Sequence, residues 1–97
     1  DLDGIAITRL NIGQIEVERG HLEAAELALR TAWALNKKLG HAEGIATAGE
    51  ALGLLLLRTG QTDEGRALVA EAVDRYAQLG QGKKAKRLER TAAKLGA

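Results

Sequence analysis

Residues spaced three and four apart form one helical face in two matching stretches of the chain. The first series is Leu22, Ala25, Leu29, Ala32, Trp33, Asn36 and Leu39, and the second is Val69, Ala72, Val73, Tyr76 and Leu79. Steps of three and four match the 3.6-residue period of an α-helix. Each stretch therefore predicts a helix with one core-facing side.

The stretch that precedes each of these helices is apolar over a much wider arc. The first contains Ile5, Ala6, Ile7, Leu10, Ile12, Ile15 and Val17, and the second contains Ile45, Ala46, Ala48, Ala51, Leu52 and the run Leu54 to Leu57. A helix that is apolar on several sides is contacted on several sides. This is expected where a first helix lies between its own hairpin partner and a neighbouring hairpin.

Glycines divide the chain into blocks of equal length, with Gly20, Gly40, Gly60 and Gly80 each closing an apolar run. Glycine just past a periodic run is the usual left-handed stop of a helix. Two such blocks make one repeating unit, because the shift that aligns Gly20 with Gly60 also aligns Gly4-Ile5-Ala6 with Gly44-Ile45-Ala46. The pattern predicts an all-α domain over residues 1–97, with repeats at about 3–40 and 43–80.

The last block repeats only the beginning of a unit. Its apolar positions are Ala85, Leu88, Ala92 and Leu95, and the residues between them are mostly charged. One apolar stripe on a charged helix is what a terminal repeat needs at the end of a stack. Residues 83–95 are therefore predicted to form a capping helix, which makes five helices and about 2.5 repeats.

Small residues, together with the larger apolar residues that accompany them, carry a family resemblance at fixed positions in both units. They are Ile12-Gly13, Gly20, Ala25, Leu29 and Ala32, then Leu52-Gly53, Gly60, Gly65, Val69 and Ala72. This pattern resembles the tetratricopeptide repeat, in an extended variant whose period is about 40 residues rather than the usual number of about 34. The resemblance implies a right-handed α-solenoid of antiparallel helix hairpins that acts as a protein–protein interaction scaffold.

In that family the first helices line a concave groove, so the resemblance also implies which residues face a partner. They are Ile7, Leu10, Gln14, Val17, Glu18, Thr47, Glu50, Leu54, Leu57, Arg58, Arg87, Arg90 and Lys94. Because consecutive helical residues fan around the axis, at least one leucine of the run Leu54 to Leu57 must face the groove. The expected partner is an amphipathic helix or extended peptide with acidic flanks.

Two other occupants remain open for the apolar strip predicted from Ile7, Leu10, Val17, Leu54 and Leu57. A second copy of the chain could cover it, which would make the chain a homo-oligomer. Neighbouring repeats could cover it if the chain is part of a larger protein, as we expect from its two and a half repeats.

The positive charge of the chain is concentrated at one end. Residues 1–80 carry 8 Lys or Arg against 12 Asp or Glu, whereas residues 81–97 carry 6 against 1. Six cations could neutralise phosphates of a nucleic acid. Aromatic stacking groups are lacking there and the rest of the chain is acidic, so nucleic acid is the weaker prediction.

Candidate chemistry is sparse. The chain has no Cys or Ser, and the Gly60–Gly65 segment lacks the Lys and Ser/Thr of a phosphate-binding loop. His21 and His41 are isolated in turns, which predicts no metal site. We expect no catalytic residues and no cofactor, hence no enzyme. The lack of cysteine, a leader and a membrane-length apolar run predicts a cytoplasmic protein with no membrane span.

Overall fold

The computed structural model describes residues 1–96, so Ala97 at the end of the predicted domain lies outside the described residues. The helices are α1 (Leu2–Glu18), α2 (Leu22–Leu39), α3 (Ala42–Arg58), α4 (Thr62–Gln78) and α5 (Gly82–Lys94). Residues 1–96 contain no β-strand. The predicted all-α fold of five helices is confirmed.

The four turns between helices share one geometry. Gly20, Gly40, Gly60 and Gly80 have φ values of 78°, 70°, 86° and 75°, in the left-handed region. The N–H of the residue after each glycine donates to a carbonyl five residues earlier, as His21 does to Glu16 over 2.9 Å. These bonds satisfy carbonyls that the helix end leaves unpaired. The prediction of glycine helix stops is confirmed.

Consecutive helices form antiparallel hairpins, and the hairpins stack. α1 pairs with α2 and α3 pairs with α4, while α2 packs on α3 and α4 packs on α5. The largest fully buried side chains are Leu29, Leu52, Leu55, Leu56 and Leu88. Their removal from water is the main stabilising contribution, at about 1.5 to 3 kcal/mol for each fully buried leucine.

Glycines inside the first helices let the hairpin partners approach closely. A Cβ placed on Gly53 would lie 3.0 Å from Val69 Cγ2 and 3.2 Å from the carbonyl oxygen of Gly65. Gly13 stands at the same point of the first hairpin and packs against Leu29. The small residues that carried the family resemblance thus set the spacing within each hairpin.

Ion pairs on the second helices join the two hairpins. Both Nη atoms of Arg30 donate to the Glu64 carboxylate, at 2.6 and 2.9 Å. Lys37 pairs in the same way with Glu71. The hydrogen bond from Arg30 lowers the pKa of Glu64, and the two ion pairs link α2 to α4 at the surface.

None of the helices within residues 1–96 has the length and apolar character that crossing a bilayer requires.

Candidate functional site

A groove of about 640 Å³ runs between the C-terminal halves of the three first-type helices, α1, α3 and α5. α1, α3 and α5 touch each other only lightly, because α2 separates α1 from α3 and α4 separates α3 from α5. The second helix of each hairpin, α2 or α4, is here called a second-type helix. The groove is lined by Gln14, Val17, Glu18, Leu29, Ala51, Leu54, Leu55, Arg58, Thr91 and Leu95. Five of the residues predicted to face a partner lie together there: Gln14, Val17, Glu18, Leu54 and Arg58.

Beside Leu55, which also lines the groove, Leu54 presents a partly exposed side chain to it. It is half-buried, whereas Leu55 and Leu56 lie in the core between the hairpins. Because consecutive residues are about 100° apart around a helix, four consecutive side chains cannot share one face. Leu54 is therefore the more exposed of the two leucines that α3 presents to the groove, which agrees with the expectation that at least one leucine of the run faces it.

The placement of Leu57 in the groove is wrong. Leu57 is only 6% exposed and packs in the core cluster that contains Val69, Tyr76 and Leu88. It lies about 60° around the helix from Leu54, on the side away from Leu55, and there it packs toward α4 and α5. The space it fills is left open by Gly65, whose Cβ would lie 3.0 Å from the Leu57 side chain.

The predicted continuous apolar strip is also wrong at its α1 end. Ile7 is exposed but does not line the groove, and Leu10 is half-buried against the core cluster of Leu29 and Leu52. The rise of about 1.5 Å per residue puts Ile7 about 15 Å along α1 from Val17. The groove therefore uses only the last turn and a half of α1.

Thr47 and Glu50 are held in contacts within the protein near the N-terminal half of α3. The Tyr76 hydroxyl donates to Glu50 Oε1 over 2.6 Å, and the Thr47 hydroxyl donates to the Glu43 carbonyl over 2.9 Å. Burial, reinforced by the Glu50 contact, raises the pKa of Tyr76 to about 12. Thr47 and Glu50 do not line the groove.

The basic residues predicted on α5 lie beside the groove rather than in it. Arg87, Arg90 and Lys94 are exposed, and the groove wall is made by Thr91 and Leu95. Thr91 follows Arg87 by four residues, so the two side chains share a helix face. This spacing is the signal in the sequence that could have placed Thr91 beside the predicted basic residues. The cations form a positive rim along α5, and Arg58 adds a cation from α3.

The described residues offer no other candidate chemistry. Within residues 1–96, no group of three or more His, Cys, Asp or Glu side chains is placed to hold a metal ion. His21 Nδ1 lies 2.9 Å from Glu16 and His41 Nδ1 lies 3.3 Å from Asp3, each with a single carboxylate. Both histidines stand at helix starts and belong to the turns.

No protein-family model, curated protein or solved structure matches the chain. Its own internal repeat and stacked helix hairpins are those of a helical-repeat type of fold.

Proposed function

We propose that this chain is a tetratricopeptide-like interaction module that holds a peptide or helix of a partner protein in the groove between α1, α3 and α5. The observation that carries the proposal is the half-buried Leu54 at the centre of that groove, with Val17 on one side and Leu95 on the other. Apolar centres with polar surroundings dominate the energy of most protein contacts. An amphipathic helix laid into an apolar groove is a common mode of peptide recognition.

The charges around the groove favour a partner with acidic residues. Arg58 lines the groove, and Arg87, Arg90 and Lys94 form the exposed rim on the α5 side. Glu18 on the α1 side has the opposite charge. A partner with its acidic residues toward α5 meets complementary charge, which raises the association rate and selects the orientation.

A random peptide library displayed on phage tests this proposal. We expect enriched peptides to combine two or more apolar residues with an acidic flank. Replacing Leu54→Lys should raise their dissociation constant by about tenfold or more, because it puts a charge at the apolar centre. The control is Leu79→Lys, which changes an exposed leucine outside the groove.

Failure of any peptide to enrich would contradict the proposal. So would enriched peptides that bind the Leu54→Lys protein as tightly as the parent, when circular dichroism shows that both are folded. The charge reversals Arg87→Glu and Arg90→Glu, made together, should weaken the binding of acidic peptides. The difference in affinity from the parent protein should shrink as added salt screens the charges.

Self-association through the same groove is the second candidate, because the apolar lining of Val17, Leu54 and Leu95 also suits a second copy of the chain. It predicts a concentration-dependent mass that Leu54→Lys returns to the monomer. Contact with a nucleic acid through the basic α5 is the third and weakest candidate. It predicts binding that falls steeply with salt and disappears in a Lys83→Glu, Lys84→Glu and Arg87→Glu variant.

A further inference from the structure

The three first-type helices present the same face to different surroundings. The repeat shift superimposes the sets Ile5, Thr8, Ile12, Ile15 of α1, Ile45, Ala48, Leu52, Leu55 of α3 and Ala85, Leu88, Ala92, Leu95 of α5. The α3 set is buried where α2 packs on it, and the α5 set packs against α4. The α1 set, here called the α1 outer face, has no second-type helix beside it among residues 1–96.

The α1 outer face is consequently exposed and apolar. Ile5, Ile12 and Ile15 are 45%, 38% and 46% exposed, whereas Ile45, Leu52 and Leu55 are each 3% exposed or less. Several large aliphatic side chains in one exposed row are rare on a monomeric protein and usually indicate an interaction site.

The neighbouring helix extends this apolar surface. On α4, Glu64 and Glu71 face α2, and Ala67 lies between them on the same side. The residues of α2 that correspond to these three by the repeat shift are Ala24, Thr31 and Leu27, and Leu27 is 71% exposed. At this end of the stack, α2 therefore exposes a side that carries Ala24 and Thr31 in place of the ion-pairing residues of α4.

The α1 outer face is complementary to itself when one copy is reversed. Along the face the order is Asp1, Ile5, Thr8, Ile12, Ile15, Arg19. In an antiparallel pairing centred between Thr8 and Ile12, Ile5 meets Ile15 and Asp1 meets Arg19 of the second copy. Ile5 and Ile15 then oppose each other at two places, Thr8 opposes Ile12 between them, and the Asp1 carboxylate opposes the Arg19 guanidinium at both ends.

We propose that two copies of this chain associate through their α1 outer faces as an antiparallel, two-fold symmetric pair. A two-fold contact uses the same patch on both copies and closes on itself. Antiparallel packing also brings opposite ends of the two helix dipoles together. The pair leaves the groove between α1, α3 and α5 open, so this inference does not depend on the proposed function.

The size of the face sets the expected strength. α1 has 17 residues, so at about 1.5 Å per residue and about 10 Å across it presents roughly 260 Å². A standard interface buries about 800 Å² per partner. The α1 outer face is smaller than that, so we expect a weak pair, with a dissociation constant between about 10 µM and about 1 mM.

Sedimentation equilibrium over that concentration range tests the pairing. We expect the mass of the parent protein to rise from monomer toward dimer. Ile12→Lys should raise the dissociation constant by about tenfold or more, since it places an ammonium group at the middle of the pair, opposite Thr8 and between the two Ile5–Ile15 contacts. The matched control is Leu79→Lys, because Leu79 is 39% exposed against 38% for Ile12 and lies away from α1; it should leave the dimer unchanged.

The charged ends provide a second test. Arg19→Glu should raise the dissociation constant severalfold at low salt, and the difference from the parent should shrink as salt is added. Arg66→Glu is the control for the change in net charge, because Arg66 is an exposed cation on α4.

Three results would overturn the inference. One is a protein that stays monomeric up to about 1 mM, the upper limit set by the expected affinity. Another is a dimer that Ile12→Lys leaves unchanged. The last is a dimer that disappears with Leu54→Lys and persists with Ile12→Lys, which would place the interface in the groove. Peptide selection on the groove is a separate measurement, so either proposal can fail alone.

Discussion

α1 and α3 occupy the same position in successive repeats and share many apolar residues, yet they are buried to very different extents. α3 has nine buried residues, and α1 has two, Ala6 and Gly13. α3 lies between α2 and α4, whereas α1 packs mainly on α2. The comparison teaches that the neighbours of a first-type helix decide its burial, because apolar character only permits burial and a packed surface is needed to produce it.

The differences in sequence between the two helices fit this account only in part. Leu56 at the centre of the core corresponds to Glu16 in α1, which pairs with Arg19 and His21 at the surface. One turn earlier on the same side of the helix the apolar character is retained, since Ile12 corresponds to Leu52. α1 thus carries one charged residue and one exposed aliphatic residue where α3 carries two buried leucines.

Among the tests of this comparison between α1 and α3, we expect the largest effect from shortening one matched side chain in each helix. Leu52→Ala should lower the free energy of unfolding by about 3 kcal/mol, because it opens a cavity in a site that is 1% exposed. Ile12→Ala at the same register of α1 should cost less than about 1 kcal/mol in the monomer, since water already reaches that side chain. Urea unfolding of both variants at low protein concentration provides the measurement. Equal losses would contradict the account of burial by neighbours.

A pH titration of unfolding distinguishes the second hairpin from the first. Tyr76 donates to Glu50, whereas the corresponding first-hairpin residues are Asn36 and Leu10. The pKa of Tyr76 is raised from 10.0 to about 12, so the folded protein holds the phenol proton more tightly than the unfolded chain. Its contribution is complete below pH 10 and is lost as pH rises toward 12, by up to about 2 kcal/mol.

The control for that titration is Tyr76→Phe, because lysines also titrate in alkaline solution. The parent protein should lose more stability between pH 10 and 12 than the Phe variant does. Identical profiles for the two proteins would show that the Tyr76 hydroxyl is not held by burial and Glu50 as described.

The smallest expected effect concerns the ion pair that joins the two hairpins. A double-mutant cycle with Arg30→Ala and Glu64→Ala should give a coupling of about 0.5 to 1 kcal/mol, as for exposed pairs with good geometry. The pKa of Glu64 is lowered from 4.5 by Arg30, so the coupling is present above pH 4.5 and is lost as pH falls through the folded value. Coupling that is unchanged by salt and acid would contradict an electrostatic link.

Much of the fold was predictable because local rules determine it. The helical period of apolar residues predicted the helices, and Gly20 and its three counterparts predicted their ends, since a left-handed residue is best provided by glycine. The groove was predictable in part. Gln14, Val17 and Leu54 were expected there from the resemblance to the tetratricopeptide repeat, whereas Thr91 and Leu95 were missed because neither residue type by itself marks a groove.

The sequence by itself determined the number, length and pairing of the helices, because hydrophobic period, glycine stops and the internal repeat are properties of neighbouring residues along the chain. Only the tertiary structure decided which apolar residues became core. Leu57 is buried because Gly65 leaves room for it, and Ile12 is exposed because no second-type helix among residues 1–96 packs on it. Burial depends on what lies across from a side chain, and that neighbour is not adjacent to it along the chain.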